Sequence, residues 1–333
     1  MKKIKALIAS PGLSGAGLIY DFLLFRNDFK SPFKSFPDDD QQTEFRFVSD
    51  PGGLNSLYNG LYKNFSINNA SYVFREFDKY LHKLKKLSIK KNGKKKFIYN
   101  EAFFKEVEFF LKKVTKIQYY GLPQYFRLGL NLKEKIQWRL VRNFKTAQKT
   151  NYLKMKIPIN RTKFIEEAQK MLENSLKILS NKKHQHYVID QAINFWDPEE
   201  SSIFFKNKKI VLITRDPRSI FASMKKRGSL SYPGHNVDLF IKWYKDIIKN
   251  YGKIKNNKNL IKIKYENFIL NHEKESKKLL NFLNIKNLKK KKFDISKSKE
   301  NIFKAKIYLT DRELKLIEKN LKKYLQWPKK IYI

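Results

Sequence analysis

Residues 209–223 read KIVLITRDPRSIFAS. The first six, 209–214, form an apolar, β-branched run that predicts a buried strand. Asp216 then stands at a helix N-cap position with Pro217 at the first helical position, which predicts a helix from about 218 to 226. A strand followed by a short polar turn and a helix is typical of an α/β protein.

The same alternation of strand and helix occurs elsewhere in the chain. The predicted strands are IKALIA at 4–9, YVI at 187–189 and LIKIKY at 260–265, and helices are predicted to follow at 18–25 and 274–283. Apolar strands separated by helices indicate a central parallel sheet flanked by helices. In such a sheet, ligands bind beyond the carboxyl ends of the strands.

The middle of the chain has a different pattern. EFRFVS at 44–49 alternates as a strand does, and from 54 to 171 the pattern is mostly helical, with Lys-rich faces opposite faces of Phe, Leu and Tyr. KKNGKKK at 90–96 is interpreted as a solvated connection. KNLKKKKFDISKSKE at 286–300 is interpreted as a mobile basic loop.

Composition narrows the classes of protein that the chain can represent. There is no cysteine, which excludes disulfides, thiolate metal sites and cysteine nucleophiles. Apolar residues make up 41% of the chain and aromatic residues 15%, enough for a sizeable core, so disorder is excluded as the main state.

The net charge of +41, from 72 Lys plus Arg against 31 Asp plus Glu, predicts attraction to polyanions and acidic surfaces. Lysine is spread over almost every segment together with many Asn and Ile residues, which favours an AT-rich genome over selection for nucleic acid. We therefore expect no specific nucleic-acid partner, and a polyanion-binding protein remains the alternative.

The amino terminus superficially resembles an export signal, because basic MKKIK precedes apolar residues. Pro11, three glycines and Asp21 argue against that interpretation, and residues 6–25 are too interrupted to span a bilayer as a helix. No other stretch is a transmembrane candidate. We expect a soluble, cytoplasmic protein.

A glycine-rich turn, SPGLSGAG at 10–17, follows the first predicted strand. Glycines let the backbone approach a ligand, and the amides at a helix N-terminus attract phosphate. Gly12 and Gly17 have the separation of a nucleoside triphosphate P-loop, but Leu18 and Ile19 replace its Lys and hydroxyl residue. This disfavours a P-loop kinase, and a tight turn with no ligand is the other interpretation.

A second candidate phosphate site follows the strand at 209–214. Arg215 stands at the carboxyl end of this strand, and Ser223 lies about two helical turns further on. A guanidinium fork and a hydroxyl can both bind one phosphate. Alternatively, Arg215 and Arg218 pair with surface carboxylates.

These motifs resemble those of the sulfotransferases that use 3′-phosphoadenylyl sulfate (PAPS), especially the bacterial and carbohydrate-modifying branch. The second phosphate motif of that family is a strand, Arg-Asp-Pro-Arg and a Ser eight residues after the first Arg, and Arg215 and Ser223 match this spacing. The other matches are Asp190-Gln191 with Pro198, FIKWY at 240–244, YENF at 265–268 and NFLNI at 281–285. The similarity covers most of 187–325, with the glycine turn as a second anchor.

The resemblance implies a P-loop-like nucleotide-binding core within one domain over 1–333, with a large helical insertion at 54–180 that selects the acceptor. It implies PAPS as the donor of a sulfuryl group and a hydroxyl or amine acceptor. A basic, aromatic-bearing cleft in the middle region would suit a glycan or glycolipid, which is the acceptor that we expect, whereas a hydrophobic tunnel would suit a small phenol or sterol. No metal is expected, because the five histidines lack recognisable metal-ligand spacing.

The nucleotide-binding residues that we expect are Gly12, Leu13, Ser14, Gly15, Ala16, Gly17, Leu18, Arg215 and Ser223. By resemblance, Arg215 and Ser223 hold the 3′-phosphate. The family's first loop commonly has a basic residue where this chain has Leu13, and hydroxyl residues where it has Ala16 and Gly17. Arg46 or a lysine can supply the missing charge, and the alternative is a catalytically impaired homologue.

Asp190 is the expected catalytic base, because it stands at a strand end between the two phosphate loops in chain order. His186 and His235 are alternatives, and Asp190 can instead have a structural role. Near the carboxyl terminus, Thr310 and Glu313 predict a capping box.

Overall fold

The computed structural model describes residues 3–26, 28–32, 45–64, 67–88, 99–121, 130–144, 153–180, 186–228, 232–285, 293–302 and 304–326. The chain divides into two compact units. The first unit comprises residues 1–31, 184–202 and 207–333, and the second comprises 32–183 and 203–206. The expectation of one domain with an insertion at 54–180 stays a prediction.

Seven strands are formed by the described residues. They are β1 (Lys5–Ala9), β2 (Phe29–Lys30), β3 (Thr115–Gly121), β4 (Leu153–Pro158), β5 (His186–Asp190), β6 (Lys208–Thr214) and β7 (Leu260–Lys264). The helices of the second unit are α2 (Leu54–Tyr62), α3 (Ile67–Ser88), α4 (Glu101–Val114), α5 (Leu132–Phe144) and α6 (Arg161–Ser180).

The described helices of the first unit precede and follow its strands. They are α1 (Ala16–Phe25), α7 (Pro198–Ser201), α8 (Pro217–Arg227), α9 (Val237–Lys253), α10 (Tyr265–Leu270), α11 (His272–Phe282), α12 (Ser296–Glu300), α13 (Lys304–Tyr308), α14 (Asp311–Asn320) and a 3₁₀ turn at Lys322–Tyr324. No helix within the described ranges has both the length and the apolar composition needed to cross a membrane.

The first unit is built on a five-stranded parallel sheet in the order β2-β5-β1-β6-β7. Its central strands are buried on both faces: Leu7 and Leu212 point to one face and Ile8 and Val211 to the other, and all four are fully buried. This explains why the strands read as continuous apolar runs. The predicted α/β fold, a parallel sheet flanked by helices, is confirmed.

The strand order places β1 at a topological switch point. After β1 the chain continues to β2 and β5 on one side of β1, and then crosses to β6 and β7 on the other side. The loops that leave the carboxyl ends of β5, β1 and β6 therefore diverge, which opens a crevice suited to a ligand.

Two predicted helix caps of the first unit are confirmed. The Asp216 side chain accepts a hydrogen bond from the Arg218 amide, and Pro217 occupies the first turn of α8. At α14, Thr310 and Glu313 form the expected capping box, in which each side chain accepts from the other residue's amide. Both helices therefore begin where the sequence places them.

The second unit consists of helices α2 to α6 and an antiparallel pair, β3 and β4. Its core is rich in aromatic rings: Phe47 packs edge-on against Phe103, and Phe164 packs against Phe110 and Tyr62. Many of the aromatic side chains of the helical region are thus core residues.

The strand predicted at 44–49 is wrong over its described part. Residues 45–49 form a turn, in which the Arg46 carbonyl accepts from the amides of Ser49 and Asp50. Phe47 and Val48 are adjacent in sequence and both fully buried, so the residues do not alternate between a buried and an exposed face.

The structure adds strands to one region read as mostly helical, and it corrects one predicted loop. The pair β3–β4 lies in the region read as mostly helical, and β3 is exposed along most of its length, so it shows no period-two pattern.

Part of the basic loop predicted at 286–300 is helical, namely α12, whereas 286–292 lies outside the described residues. The connection at 90–96 also lies outside them.

Candidate functional site

Four neighbouring strands bring polar groups to the carboxyl edge of the first unit's sheet. In spatial order these are Asp190 at the end of β5, the glycine turn after β1, Arg215 after β6, and Tyr265 after β7. Because all four strands are parallel, their carboxyl ends meet at one edge. The structure thus brings the two predicted phosphate motifs together.

The glycine turn needs glycine for two reasons. Gly15, which precedes α1, has a φ of 87°, in the left-handed region that disfavours side chains. A Cβ at Gly15 would also collide with the Tyr265 ring, and a Cβ at Gly12 would collide with the Tyr232 ring. The backbone of this turn therefore lies directly against two aromatic side chains.

Ser14 lies at the centre of the same turn. Its amide donates to the Pro11 carbonyl at 3.2 Å, and its side chain is fully buried. The Ser14 hydroxyl has no hydrogen-bond partner among the described residues. A buried hydroxyl without a partner is costly, so this side chain is suited to binding a ligand atom.

Helix α1 begins directly after the turn. Gly15 at its N-cap offers no side chain to accept from the first amides. The helix N-terminus consequently presents a positive dipole end beside Ser14. The Leu18 amide donates to the Gly15 carbonyl, while the side chains of Ala16 and Leu18 are buried in the core below the sheet edge.

Leu13 stands where the related motif has a basic residue. It has a φ of 61°, and its side chain packs against the hydrophobic cluster formed by α8, α9, α13 and α14. It therefore supplies no charge to the turn. Arg46, one possible substitute, lies in the second unit, in the turn at 45–49.

Arg215 is the most strongly organised residue of the site, and it is 4% exposed. Its Nη1 donates to the Leu13 carbonyl at 3.3 Å and to the Ser223 hydroxyl at 3.1 Å, and its Nη2 donates to the Asn301 carbonyl. Its Nε–H has no acceptor among the described residues. One edge of a buried cation thus keeps a free donor.

Ser223 lies on α8, two turns after Arg215, as the sequence predicts. Its hydroxyl donates to the Ser219 carbonyl at 2.8 Å and accepts from Arg215. The structure therefore joins the two residues that the sequence assigns to one phosphate. Both are linked to the glycine turn, because the Arg215 guanidinium also bonds to the Leu13 carbonyl.

The aromatic ring of Tyr265 packs against the Arg215 guanidinium. The Arg215 guanidinium carbon lies 4.9 Å from the centre of the Tyr265 ring, and the Tyr265 hydroxyl donates to the Ser298 carbonyl at 3.2 Å. This ring also contacts Gly15. Tyr265 therefore fixes the position of both phosphate motifs, a role that the YENF motif did not reveal.

A buried carboxylate lies behind Arg215. Glu266 is fully buried, and its Oε1 accepts from the Asp216 amide at 3.1 Å. Burial and, to a smaller extent, the nearby Asp216 charge raise the pKa of Glu266 to about 7, although Arg215 acts in the opposite direction. Its Oε2 has no partner among the described residues.

Asp216 is held by a separate ion pair. The Arg218 guanidinium donates to both Asp216 oxygens at 2.9 Å and to Glu318 at 2.8 Å. Arg218 therefore does pair with carboxylates, but its Asp216 partner is fully buried and only Glu318 is partly exposed, so these are not simply surface pairs. Arg215 instead bonds to backbone carbonyls and a hydroxyl, and it remains available for an anion.

Further cations gather near Arg215. Burial lowers the pKa of Lys304, and the positive charges of Arg215, Lys226 and Arg227 lower it further. Like charges that interact in this way are stabilised by an anion between them. Lys304 is thus part of a positively charged cluster. Lys306, the next lysine along α13, is exposed.

Asp190 ends β5 and pairs in register with Ile8 of β1, one residue before the end of that strand. It is 8% exposed. Burial raises the pKa of Tyr20 to about 12, and the charge of Asp190 contributes to this shift. Asp190 therefore lies at the same sheet edge as the glycine turn, facing helix α1.

The two alternative bases, His186 and His235, occupy different positions. His186 begins β5, so about 13 Å of strand separates it from Asp190 at the carboxyl edge. It is buried, and its Nδ1 accepts from the Ile4 amide. His235 is exposed, in the turn before α9. The position of His186 argues against a role in proton transfer at the crevice.

The arrangement has the chemistry expected of an anion site: buried or half-buried cations, a helix N-terminus and a free hydroxyl lie beside glycine backbone. Such groups bind phosphate or sulfate oxygens and stabilise charge that develops on them. Within the described ranges, no cluster of three or more His, Asp or Glu side chains is arranged to hold a metal ion.

Comparison with known proteins finds a family similarity over part of the chain. The model of the sulfotransferase family matches residues 128–289 of this chain. The matched segment contains Asp190, the Arg215–Ser223 motif and Tyr265, and it excludes the glycine turn. The resemblance inferred from sequence is therefore confirmed over this segment. A search of curated proteins found no match.

Several solved structures are similar to this chain at low identity. The sulfotransferase domain from the curacin biosynthetic pathway is 14% identical, with 98% of this chain and 99% of that chain covered and a TM-score of 0.42. The sulfotransferase domain of an olefin synthase from Synechococcus PCC 7002 is 13% identical, with 95% and 82% covered and a TM-score of 0.36. A mouse sulfotransferase complexed with PAP is 17% identical, with 45% and 70% covered and a TM-score of 0.29.

Proposed function

We propose that this protein is a PAPS-dependent sulfotransferase, which moves a sulfuryl group to a hydroxyl or amine of an acceptor. The observation that carries the proposal is the buried Arg215–Ser223 pair, bonded to the glycine turn at the carboxyl edge of the sheet. The match of the sulfotransferase family to this segment supports it.

The residues present fit the nucleotide. Arg215 Nε and the Ser14 hydroxyl are buried donors without an acceptor among the described residues, and phosphate oxygens would complete both. Arg215, Ser223 and Lys304 would hold the 3′-phosphate. The turn from Gly12 to Gly17, with the N-terminus of α1 that begins there, would hold the 5′-phosphosulfate.

The donor supplies an activated sulfuryl group when bound. Ser14 and the amides at the start of α1 stabilise negative charge on the departing phosphate side. Asp190 accepts the proton from the acceptor oxygen or nitrogen as the new bond to sulfur forms. Leu13 offers no cation at this position. The N-terminus of α1 therefore carries more of the charge stabilisation than it would if the loop had a basic residue there.

The acceptor that we propose is a glycan or glycolipid. The net charge of +41 favours acceptors and surfaces with acidic groups. The second unit, which holds the region from 54 to 180, is the proposed site of acceptor selection. A cytoplasmic location is part of the same proposal.

Calorimetric titration with adenosine 3′,5′-bisphosphate, beside ATP and at two salt concentrations, tests the nucleotide site. We expect preference for the bisphosphate and, in Arg215→Ala, at least tenfold weaker binding, since a charged hydrogen bond contributes about 1.5–3 kcal/mol. Arg312→Ala removes the same charge from an exposed position on α14 and is expected to bind as the unchanged protein does.

Transfer of sulfate from PAPS to a panel of glycans then tests catalysis. Asp190→Asn is expected to retain bisphosphate binding and to lose transfer by a factor of about 10² or more, because a general base contributes that much. Bisphosphate binding without transfer to any acceptor would indicate a catalytically impaired homologue. Equal binding of ATP and bisphosphate, unchanged in Arg215→Ala, would overturn the nucleotide assignment.

A further inference from the structure

Helix α5 of the second unit exposes a row of aliphatic side chains. Leu132 is 76% exposed, Ile136 50% and Leu140 45%. Residues four apart lie one above the other on a helix, so these three form one continuous face, the apolar stripe. Exposing so much aliphatic surface in water is unfavourable, which calls for a partner.

The opposite side of α5 makes a contact with the rest of the second unit. The Glu134 carboxylate is paired with Arg75 of α3, and it also accepts from the Asn131 amide. Glu134 lies roughly 160° around the helix from the centre of the apolar stripe. The contact with α3 therefore turns the stripe outwards.

Basic side chains border the stripe on both sides. Lys133 lies on one side of it, and Lys135 and Arg139 lie on the other, at about 60–100° from its centre. All three are exposed. The acidic side chain described on this helix, Glu134, is paired with Arg75. The exposed half of α5 is thus apolar in the middle and cationic at its edges.

Strand β3, which precedes α5 in the chain, also exposes apolar and basic side chains. On β3, Ile117, Tyr119 and Tyr120 are exposed together with Lys116. Tyr120 pairs in register with Lys154 of β4, which is also exposed. Aromatic, aliphatic and lysine side chains on one short element are typical of surfaces that meet lipid headgroups.

We propose that the apolar stripe of α5 docks this protein onto the surface of a bilayer that contains anionic lipids. An amphipathic helix with an apolar face and basic borders lies in the headgroup region, where its aliphatic side chains enter the acyl boundary. Lys133, Lys135 and Arg139 can extend their ammonium and guanidinium groups to lipid phosphates while their stems cover the stripe.

The positive charge at the borders of the apolar stripe favours an anionic bilayer over a second copy of the chain as the partner. Two copies that met through α5 would bring the basic borders together, which like charge disfavours. The inference concerns surface attachment in the second unit and does not depend on the nucleotide assignment of Arg215 in the first.

The test is co-sedimentation of the full chain with vesicles of phosphatidylcholine alone or mixed with phosphatidylglycerol. Because the chain carries +41, charge alone will bring it to anionic vesicles, so binding is compared at low and high salt. The variant Leu132→Asn/Ile136→Asn/Leu140→Asn keeps every charge and removes the stripe. We expect its partitioning at high salt to be at least tenfold weaker than that of the unchanged protein.

The matched control is Leu239→Asn/Leu270→Asn/Ile307→Asn, which removes three exposed aliphatic side chains from helices of the first unit. It is expected to bind vesicles as the unchanged protein does. Equal partitioning of both variants and the unchanged chain would overturn the proposal. A dimer in light scattering that the α5 variant alone dissociates would also overturn it, in favour of a second copy as the partner.

A second measurement covers the case in which the α5 variant fails to fold. The chain has no cysteine, so Ile136→Cys gives a unique position for a polarity-sensitive fluorophore. Addition of anionic vesicles is expected to shift its emission to the blue, whereas the same label at Ile307→Cys is expected to remain unshifted. An unshifted label at Ile136 would contradict the docking.

Discussion

Gly15 combines two constraints at one residue, and each is testable. Its φ of 87° disfavours any side chain, and a Cβ would enter the space of the Tyr265 ring. Gly15→Ala is therefore expected to lower the free energy of unfolding by about 1–3 kcal/mol. It is also expected to weaken bisphosphate binding, because Tyr265 supports Arg215. Thermal unfolding and calorimetry measure the two effects.

Gly17 provides the control for this change. It lies two residues further on, at an ordinary φ in the first turn of α1, and a Cβ there would meet no atom within 4 Å. Gly17→Ala is expected to be neutral or to stabilise the helix by up to about 1 kcal/mol. Equal effects of the two substitutions would show that Tyr265 does not constrain the turn.

Glu266 gives the protein a specific dependence on pH. Its pKa of about 7 lies above the 4.5 of the unfolded chain, so the folded protein binds the proton more tightly. The stabilisation from this carboxyl is complete below pH 4.5 and is lost as the pH rises through about 7. Glu266→Gln keeps an acceptor for the Asp216 amide and removes the titration.

We therefore expect the unchanged protein to lose more stability between pH 5 and pH 8 than Glu266→Gln does, by on the order of 3 kcal/mol. Denaturant unfolding at both pH values measures this difference. Glu318→Gln is the matched control, because Glu318 also belongs to the Asp216–Arg218 network and is partly exposed. Parallel pH profiles of all three proteins would contradict the buried, protonated state of Glu266.

The elements of the central sheet could be predicted from sequence with only small errors at their ends. Strands β1, β5, β6 and β7 were expected within one residue of their bounds at either end. The first three are short runs buried on both faces for most of their length, whereas β7 is an edge strand whose Leu and Ile residues are buried and whose lysines are not. Asp216-Pro217 predicted the start of α8, because helix capping depends on residues that are adjacent in sequence. Burial and caps are therefore readable without tertiary information.

Elements whose pattern depends on distant contacts could not be predicted. Residues 45–49 read as an alternating strand, but Phe47 and Phe45 are both buried in a turn by aromatic neighbours far along the chain, such as Phe103 and Tyr99. Strand β3 is exposed on both faces, so it lacks the period-two alternation that would predict a strand, whereas its pairing with β4 is visible only in the structure.

The candidate site likewise has parts that could be predicted from sequence and parts that could not. Arg215 and Ser223 could be assigned to one phosphate because a single strand-turn-helix carries both. The support from Tyr265 and the charge of Lys304 could not be predicted, since these residues lie at the start of α10 and of α13 and meet Arg215 only in three dimensions. Asp190 was placed at the correct sheet edge by chain order alone, and its role as a base stays a prediction.

At the scale of the whole molecule, the net charge of +41 must be separated from the nucleotide site. A protein of this charge binds polyanions by displacing their counterions, so its affinity falls steeply as salt rises. The bisphosphate binding that we propose would use a few buried donors, whose interactions salt screens much less. The two kinds of binding therefore differ in their salt dependence and in the residues that they need.

Arg215→Ala lowers the net charge only from +41 to 41 − 1 = +40. It is accordingly expected to leave the affinity for duplex DNA or heparin, and the slope of that affinity with salt, almost unchanged, while bisphosphate binding is lost. Fluorescence anisotropy with a labelled duplex over a salt series, beside calorimetry, measures both. Loss of duplex binding in this variant would indicate that the Arg215 site itself recognises nucleic acid, and the polyanion-binding alternative would then replace the sulfotransferase assignment.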